Sequence, residues 1–127
     1  MKAANTSVDF IRPVDGRVTR VYNEAIKHYG IDFAGDSGEF VYGTENGMVV
    51  QSDWTWNFGH VVVIQHQEGY LSVYKHLTST KKKQGDYISR GDVIGTSGDA
   101  GLISTGPHLH FELWKDGLPL NPQTIIR

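Results

Sequence analysis

Short stretches rich in β-branched and aromatic residues, each bounded by turn-forming residues, run through most of the chain. The clearest are GRVTRVY, GMVVQS, HVVVIQH, LSVYKHL and HLHFELW. The chain has 15 glycines among its 127 residues, and clusters of Gly, Asn, Asp and Ser separate these stretches. Such a pattern is typical of strands joined by tight turns, and no long window shows the 3.6-residue period of a helix. We therefore predict an all-β fold, mostly antiparallel, built around a curved sheet.

The length and turn pattern indicate a single domain. A chain of 127 residues is long enough to bury one hydrophobic core, and it shows neither an internal repeat nor a linker. The segments QEGY and KDGLP are typical of hairpin connections, because Gly supplies the positive φ that such turns need. We predict a domain over residues 13–127, preceded by a loosely attached segment at 1–12.

Charge and composition exclude several classes of protein. Lys and Arg total 12 against 14 Asp and Glu, a net charge of -2 that argues against a general nucleic-acid binder. There is no cysteine, so any metal must be held by nitrogen and oxygen atoms. The longest aliphatic run, VVVI at 61–64, is far shorter than the roughly 20 residues of a membrane span. The N-terminus MKAANTSVDF has no apolar core of a secretory signal.

The stretch HLHFEL combines an apolar and a polar face. In a strand, alternate residues share a face and lie roughly 6.5 Å apart. His108, His110 and Glu112 therefore line one face. The apolar residues between them, Leu109, Phe111 and Leu113, line the other face and are expected in the core. Two imidazoles and a carboxylate on one face are suitable for a metal site.

A second histidine and carboxylate lie four residues apart. His28 and Asp32 would be roughly 13 Å apart in a straight strand, too far to share one ion. Gly30 lies between them and allows a sharp bend that could bring the two side chains together. This spacing alone is weak evidence for a site.

The remaining histidines carry less information. Strand parity places His76 on the same face as Ser72 and Tyr74. His60 and His66 flank an apolar strand, and we predict that both face solvent. A catalytic zinc typically has three ligands from His, Asp or Glu and keeps one position for water, so the histidines together could supply such a site. The HExxH helix of other zinc peptidases is absent from the sequence.

Three motifs in order carry a family resemblance. HYGID, VYKHL and STGPHLHFEL resemble the motifs of the lysostaphin/LytM-type zinc metallopeptidases, peptidase family M23, which cut peptidoglycan cross-links. The similarity extends from about Asp15 to Pro122 and includes VYGTENGMVV, FGHVVVIQH and LWKDGLPLNP. It implies the family's β-sheet domain with a metal-holding groove.

The resemblance also implies a role for each motif residue. His28, Asp32 and His110 would bind one Zn²⁺ per chain, and His76 and His108 would be the catalytic pair that does not bind the metal. The implied activity is a zinc-dependent endopeptidase that hydrolyses amide bonds in peptidoglycan stem peptides or cross-bridges through a metal-activated water. The implied partner is the peptide substrate, the implied location is the cell envelope, periplasmic or extracellular, and we expect a monomer.

Two other functions remain open at this point. A catalytically silent relative would bind peptidoglycan or activate a partner hydrolase, but all five motif positions are present, which favours an enzyme. A cupin-like protein with iron or manganese would explain the ligand types, although not the order of the motifs.

Four further residues have two interpretations each. Glu112 could orient a histidine ligand or simply form a salt bridge. Trp54 and Trp56, with Phe58 after them, could wall a substrate groove, but we favour a place in the core for these aromatics.

Overall fold

The computed structural model describes residues 8–35, 38–98 and 108–127. Within these ranges the regular structure consists of β-strands and short 3₁₀ helices, without an α-helix, so the all-β prediction is confirmed. The strands are β1 (Val18–Arg20), β2 (Ile31–Ala34), β3 (Phe40–Tyr42), β4 (Gly47–Thr55), β5 (Gly59–Gln65), β6 (Tyr70–Thr80), β7 (Tyr87–Ile88), β8 (Val93–Ser97), β9 (His108–Lys115) and β10 (Leu118–Leu120). The 3₁₀ helices comprise Glu24–Ile26, Gln67–Gly69 and Pro122–Thr124. In this part of the chain no helix has the length and apolar character of a membrane span.

The strands form one antiparallel sheet. Its main order is β1-β2-β9-β6-β5-β4-β7, while β10 pairs with β9 and β8 pairs with both β3 and β6. Strand β9 therefore lies between β2 and β6. In this register Asp32 is opposite His110 on one side, and Lys75 is opposite His110 on the other. The strands that carry residues of the three motifs therefore lie side by side.

The apolar face of β9 lies in the core, as its alternation predicts. Leu109, Phe111 and Leu113 are at most 1% exposed. They belong to one buried cluster with apolar side chains from β2, β5, β6 and β8, including Ile31, Phe33, Val62, Ile64, Tyr74, Leu77 and Ile94. The hairpin between β9 and β10 turns at Asp116 and Gly117, whose φ values are 51° and 82°. Positive φ at both positions is the conformation that the KDG sequence predicts.

Strand β6 is interrupted at His76. Tyr74 pairs with Val62 but Leu77 pairs with His60, so β6 carries one extra residue relative to β5. His76 lies in this bulge with a φ of 69°. Both Tyr74 and Leu77 are fully buried in the core. The prediction that His76 shares the face of Tyr74 is therefore wrong, because the bulge turns its side chain toward the opposite face.

The N-terminal residues that the structure describes are attached to the sheet. Phe10 is 1% exposed in the core, and the amide of Ile11 donates a hydrogen bond to the Thr44 carbonyl. Asp9 forms ion pairs with Arg90 and Arg127. The prediction of loose attachment stays a prediction for residues 1–7, which lie outside the described residues, as do residues 104–107 of the third motif.

The prediction that His66 faces solvent is wrong. His66 is 6% exposed, and its Nδ1 donates to the Asn46 carbonyl at 2.8 Å. Its Nε2 then accepts from Ser72 Oγ at 2.7 Å, and Ser72 Oγ lies 2.8 Å from the Tyr74 hydroxyl. Burial lowers the pKa of His66 below its ordinary value. This ring belongs to a buried polar network that alternation alone does not reveal. His60 is half-buried.

The aromatic residues of the β4–β5 hairpin do not fill the core. Trp54 is 53% exposed and Trp56 is 76% exposed. Trp54 packs edge-on against His60, with ring centroids 5.1 Å apart. Phe58 is half-buried instead. The core interpretation of the two tryptophans is therefore wrong.

Candidate metal centre

One cavity of about 440 Å³ contains all five residues that the motifs single out. It opens over the face of the sheet opposite to the core, where β2, β9 and β6 run side by side. Its walls are formed by Arg20, Lys27, His28, Tyr29, Asp32, Phe58, Lys75, His76, His108, His110, Glu112 and Trp114. The sheet order thus brings residues separated by 82 positions in sequence, from 28 to 110, into one site.

His28 is held with one bare nitrogen facing the cavity. Two backbone hydrogen bonds with Asn23 fix its position after the first 3₁₀ helix. Its Nδ1 donates to the Val21 carbonyl at 2.8 Å, and a carbonyl can only accept, so the neutral ring carries its proton on Nδ1. The Nε2 atom is buried and has no hydrogen-bond partner among the described residues. A buried lone pair of this kind is suited to a cation.

Asp32 approaches His28 because Gly30 allows close backbone packing. The distance between His28 Nε2 and Asp32 Oδ1 is 3.5 Å. Gly30 does not have a positive φ, so the bend that we predicted does not depend on left-handed backbone. A Cβ at Gly30 would lie 2.5 Å from the Phe111 carbonyl oxygen and 2.9 Å from Cε1 of His110. The absence of a side chain at Gly30 lets β2 and the His110 ring come together.

His110 is fixed between two carboxylates. Its Nδ1 lies 2.7 Å from Asp32 Oδ1, and its Nε2 lies 2.8 Å from Glu112 Oε2. Burial alone would lower the pKa of His110, but the hydrogen bonds to both carboxylates outweigh burial and raise it. Burial would likewise raise the pKa of Asp32, and the hydrogen bond from His110 outweighs it and lowers the pKa. The ring is therefore oriented with Nδ1 toward Asp32 and His28.

Glu112 combines both of the roles that the sequence left open. It accepts hydrogen bonds from His110 through Oε2 and from Trp114 Nε1 through Oε1 at 2.9 Å. Oε2 also lies 3.2 Å from Lys75 Nζ. Burial would raise the pKa of Glu112, but the hydrogen bond with His110, the Lys75 charge and the Trp114 bond lower it to about 2. A permanent carboxylate at this point keeps the His110 ring in one orientation.

The three donor atoms fit a metal ion. One nitrogen or oxygen from each of His28, Asp32 and His110 lies within 4.8 Å of the others. Ligands around a tetrahedral zinc with bonds near 2.0–2.1 Å are roughly 3.3 Å apart, close to the 3.5 Å between His28 Nε2 and Asp32 Oδ1. Two imidazoles and a carboxylate are also the donor types that zinc prefers. His28 Nε2 has no hydrogen-bond partner among the described residues and lies close to Asp32 Oδ1, as expected of two atoms that bind the same ion.

The other two motif histidines form a pair in the same cavity. The ring centroids of His76 and His108 are 4.6 Å apart. The His76 amide donates to the Phe58 carbonyl at 2.6 Å, which anchors the bulge of β6 beside the β4–β5 hairpin. From Leu77 onward β6 pairs with β8 rather than β9, so the strand diverges at the point where the two rings meet. Neither histidine belongs to the group of three donor atoms.

Several wall residues were not singled out by the sequence. Trp114 continues the alternation of His110 and Glu112, so strand parity could have identified it. Lys75 reaches both the cavity and Glu112, and its Nζ lies 4.2 Å from the Phe58 ring centroid. Arg20 and Lys27 lie outside the three motifs and carry no pattern that points to a site.

Comparisons with known proteins identify relatives and similar solved structures. The chain is 42% identical over 105 residues to the peptidoglycan DD-endopeptidase ShyA of Vibrio cholerae, a match covering 83% of the chain and 24% of ShyA. A solved zinc-containing peptidase from Vibrio cholerae has a TM-score of 0.83 and 32% identity, covering 89% of this chain and 39% of that one. The lysostaphin catalytic domain from Staphylococcus simulans has a TM-score of 0.72 and 27% identity, covering 95% and 92%.

The matched region therefore spans about a quarter of the length of ShyA. The family described as Peptidase family M23 matches residues 26–122, which include all three motifs. The motif resemblance, the β-sheet fold and the sequence match agree, and the chain belongs to peptidase family M23.

Proposed function

We propose that the chain is a zinc-dependent endopeptidase that hydrolyses amide bonds in the stem peptides or cross-bridges of peptidoglycan. Its relative ShyA is named a peptidoglycan DD-endopeptidase, and a solved neighbour is described as zinc-containing. The place of action would then be the cell envelope, where this substrate is found. The working unit would be one chain with one zinc ion.

A single observation supports the metal most strongly. His28 Nε2 is buried and bare, and it faces the Asp32 carboxylate across 3.5 Å. Two acceptors in this arrangement repel each other unless a cation lies between them. His110, oriented by Glu112, turns its Nδ1 toward the same point.

The residues around the metal ligands have separate roles in this proposal. Zinc, when bound, polarises a carbonyl and lowers the pKa of water to about 7. His76 and His108, 4.6 Å apart, can accept a proton from the attacking water and donate one to the leaving amine. Phe58 and Trp114 form apolar walls of the cavity and limit the access of bulk water.

The test is digestion of purified sacculi with mass analysis of the released fragments. We expect new amino termini at stem or cross-bridge peptides, lost on chelation and restored by zinc. His110→Ala should lose both metal and cleavage, whereas His108→Ala should keep the metal and lose cleavage. His60→Ala is a matched control because His60 lies outside the cavity, and it should retain both.

Two results would contradict the proposal. Cleavage by His108→Ala at the wild-type rate would show that the role assigned to His108 is wrong. A wild-type protein that holds one zinc and releases no fragment would instead support a silent domain that binds peptidoglycan or activates a partner hydrolase.

A further inference from the structure

Two exposed cations lie at the wall of the cavity that contains the donor atoms. Arg20 and Lys27 both line it, next to His28 and Asp32. Neither side chain makes a hydrogen bond or an ion pair with any residue in the described ranges. In contrast, Lys75 in the same cavity is paired with Glu112. The positive charge of these two side chains is therefore available to a ligand.

Arg20 lies opposite an acidic residue with which it forms no ion pair. In the ladder between β1 and β2, Arg20 is directly opposite Asp32, so the two side chains start on the same face of the sheet. Asp32 is nevertheless engaged by His110 at 2.7 Å rather than by Arg20. The Asp32 carboxylate is therefore paired with His110, and the Arg20 guanidinium remains at the cavity wall.

Lys27 occupies a backbone position that favours glycine. It ends the 3₁₀ helix Glu24–Ile26 with φ 60° and ψ 33°, in the left-handed region. Gly or Asn adopts this conformation at lower cost than lysine. Strain of this kind is concentrated at functional sites, where a side chain is required at an unfavourable position. Here the required side chain would be a cation, one residue before His28.

The acidic groups of the cavity do not balance these charges. Asp32 and Glu112 are both hydrogen-bonded to His110, and Glu112 also accepts from Trp114. A bound metal ion would add further positive charge at the same place. The open part of the cavity is therefore suited to an anionic group close to the reacting bond.

We propose that Arg20 and Lys27 form a subsite for a free carboxylate of the substrate peptide, beside the bond that is cut. This inference rests on the proposed peptidase function and specifies the class of substrate. The carboxylate has two sources: the terminal carboxylate of a peptide chain, or a free carboxylate within the peptide. Guanidinium and ammonium groups form charge-assisted hydrogen bonds with both.

Binding to the metal-free protein tests the subsite without depending on catalysis. The probe is a synthetic stem peptide ending in D-Ala–D-Ala, prepared with all carboxylates free, with the terminal one amidated, or with the internal ones amidated. Calorimetry should show that one amidated form binds on the order of 10-fold more weakly than the free peptide. The form that is weakened identifies the source of the carboxylate. High salt should reduce the preference, since the two cations are exposed.

Variants assign the preference to these two residues. Arg20→Gln and Lys27→Gly should each reduce the preference for the peptide with free carboxylates over the amidated form, whereas Lys27→Arg should retain that preference. Lys27→Gly should not lower the melting temperature, because glycine adopts a φ of 60° freely, so weaker binding cannot be caused by misfolding. Arg17→Gln removes the same charge from a residue outside the cavity and should behave as wild type.

The outcomes separate this inference from the proposed function. Equal binding of all three peptides, or no measurable binding of any, would overturn the subsite even if the protein cleaves sacculi. A preference that depends on Arg20 and Lys27 in a protein without cleavage activity would support the subsite and contradict the endopeptidase proposal.

Discussion

Replacing Glu112 should weaken metal binding although Glu112 is not one of the three donor residues. Its Oε2 accepts a hydrogen bond from His110 Nε2 at 2.8 Å, which leaves Nδ1 directed at Asp32 Oδ1 in the candidate metal centre. Residues that orient a histidine ligand in this way typically contribute 10–100-fold to metal affinity, or about 1.4–2.7 kcal/mol. We therefore expect Glu112→Ala to bind zinc about 10–100-fold more weakly than wild type, measured by competition with a chromophoric chelator.

The same change should also cost stability in the metal-free protein. Without Glu112, the N–H groups of His110 and Trp114 lose their acceptor in a largely buried place. Each unsatisfied donor costs about 1–3 kcal/mol, while Lys75, 21% exposed, can turn to water. With two such donors, the free energy of unfolding should therefore fall by about 2–6 kcal/mol in the presence of a chelator.

Glutamine at the same position gives a sharper comparison. His110 and Trp114 bind different oxygens of Glu112, and glutamine keeps only one oxygen, so Glu112→Gln should be intermediate in both measurements. Glu68→Gln, at an exposed position outside the cavity, is the control. Wild-type zinc affinity in Glu112→Ala would refute the reasoning, since it would show that the orientation of His110 does not depend on Glu112.

Three further predictions concern the scaffold. Gly30→Ala should lower the free energy of unfolding by about 1–3 kcal/mol, because its Cβ would lie 2.5 Å from the Phe111 carbonyl oxygen. Scanning calorimetry should show a smaller loss of stability for Gly35→Ala, because the Cβ there would meet only the end of the Glu39 side chain. Because burial lowers the pKa of His66, wild-type stability should be full above about pH 6.5 and should fall below it toward the folded-state pKa. Denaturant titrations from about pH 7.5 to 5.5 should show a flatter profile for His66→Gln. Trp56→Ala should change the free energy of unfolding by less than about 0.5 kcal/mol in chemical denaturation, because Trp56 is 76% exposed; a larger loss would show buried contacts.

Alternation along the sequence was sufficient to predict the sheet and the faces of β9. Leu109, Phe111 and Leu113 are buried because a strand has a period of two, and this period depends only on local backbone geometry. The same rule placed His108 and His110 on the cavity side. The spacing of His28 and Asp32 became informative only with the family motifs, because their proximity depends on contacts between β2 and β9 that are distant in sequence.

Local rules failed where long-range packing decides the outcome. His66 is buried because its ring connects Asn46 and Ser72, and no periodicity encodes that pair of partners. Trp54 and Trp56 are exposed because the β4–β5 hairpin extends beyond the core, and hydrophobic composition alone does not report this. No sequence pattern indicated that Arg20 and Lys27 line the cavity. Arg20 is placed there by the pairing of β1 with β2, and Lys27 by its own left-handed backbone conformation.

The cavity that contains the candidate metal ligands lies where the backbone departs from regular strand geometry. Among the described residues, four non-glycine residues have a positive φ, and two of them, Lys27 and His76, line the cavity. A left-handed residue of this kind costs about 1–2 kcal/mol, which the surrounding contacts must offset. At His76 this cost is offset by the hydrogen bond that its backbone amide donates to the Phe58 carbonyl and by the burial of Leu77 in the core. If β6 ran straight, strand parity would turn His76 toward the side of Tyr74 and separate it from His108, so the histidine pair depends on the bulge as much as on the two residues themselves.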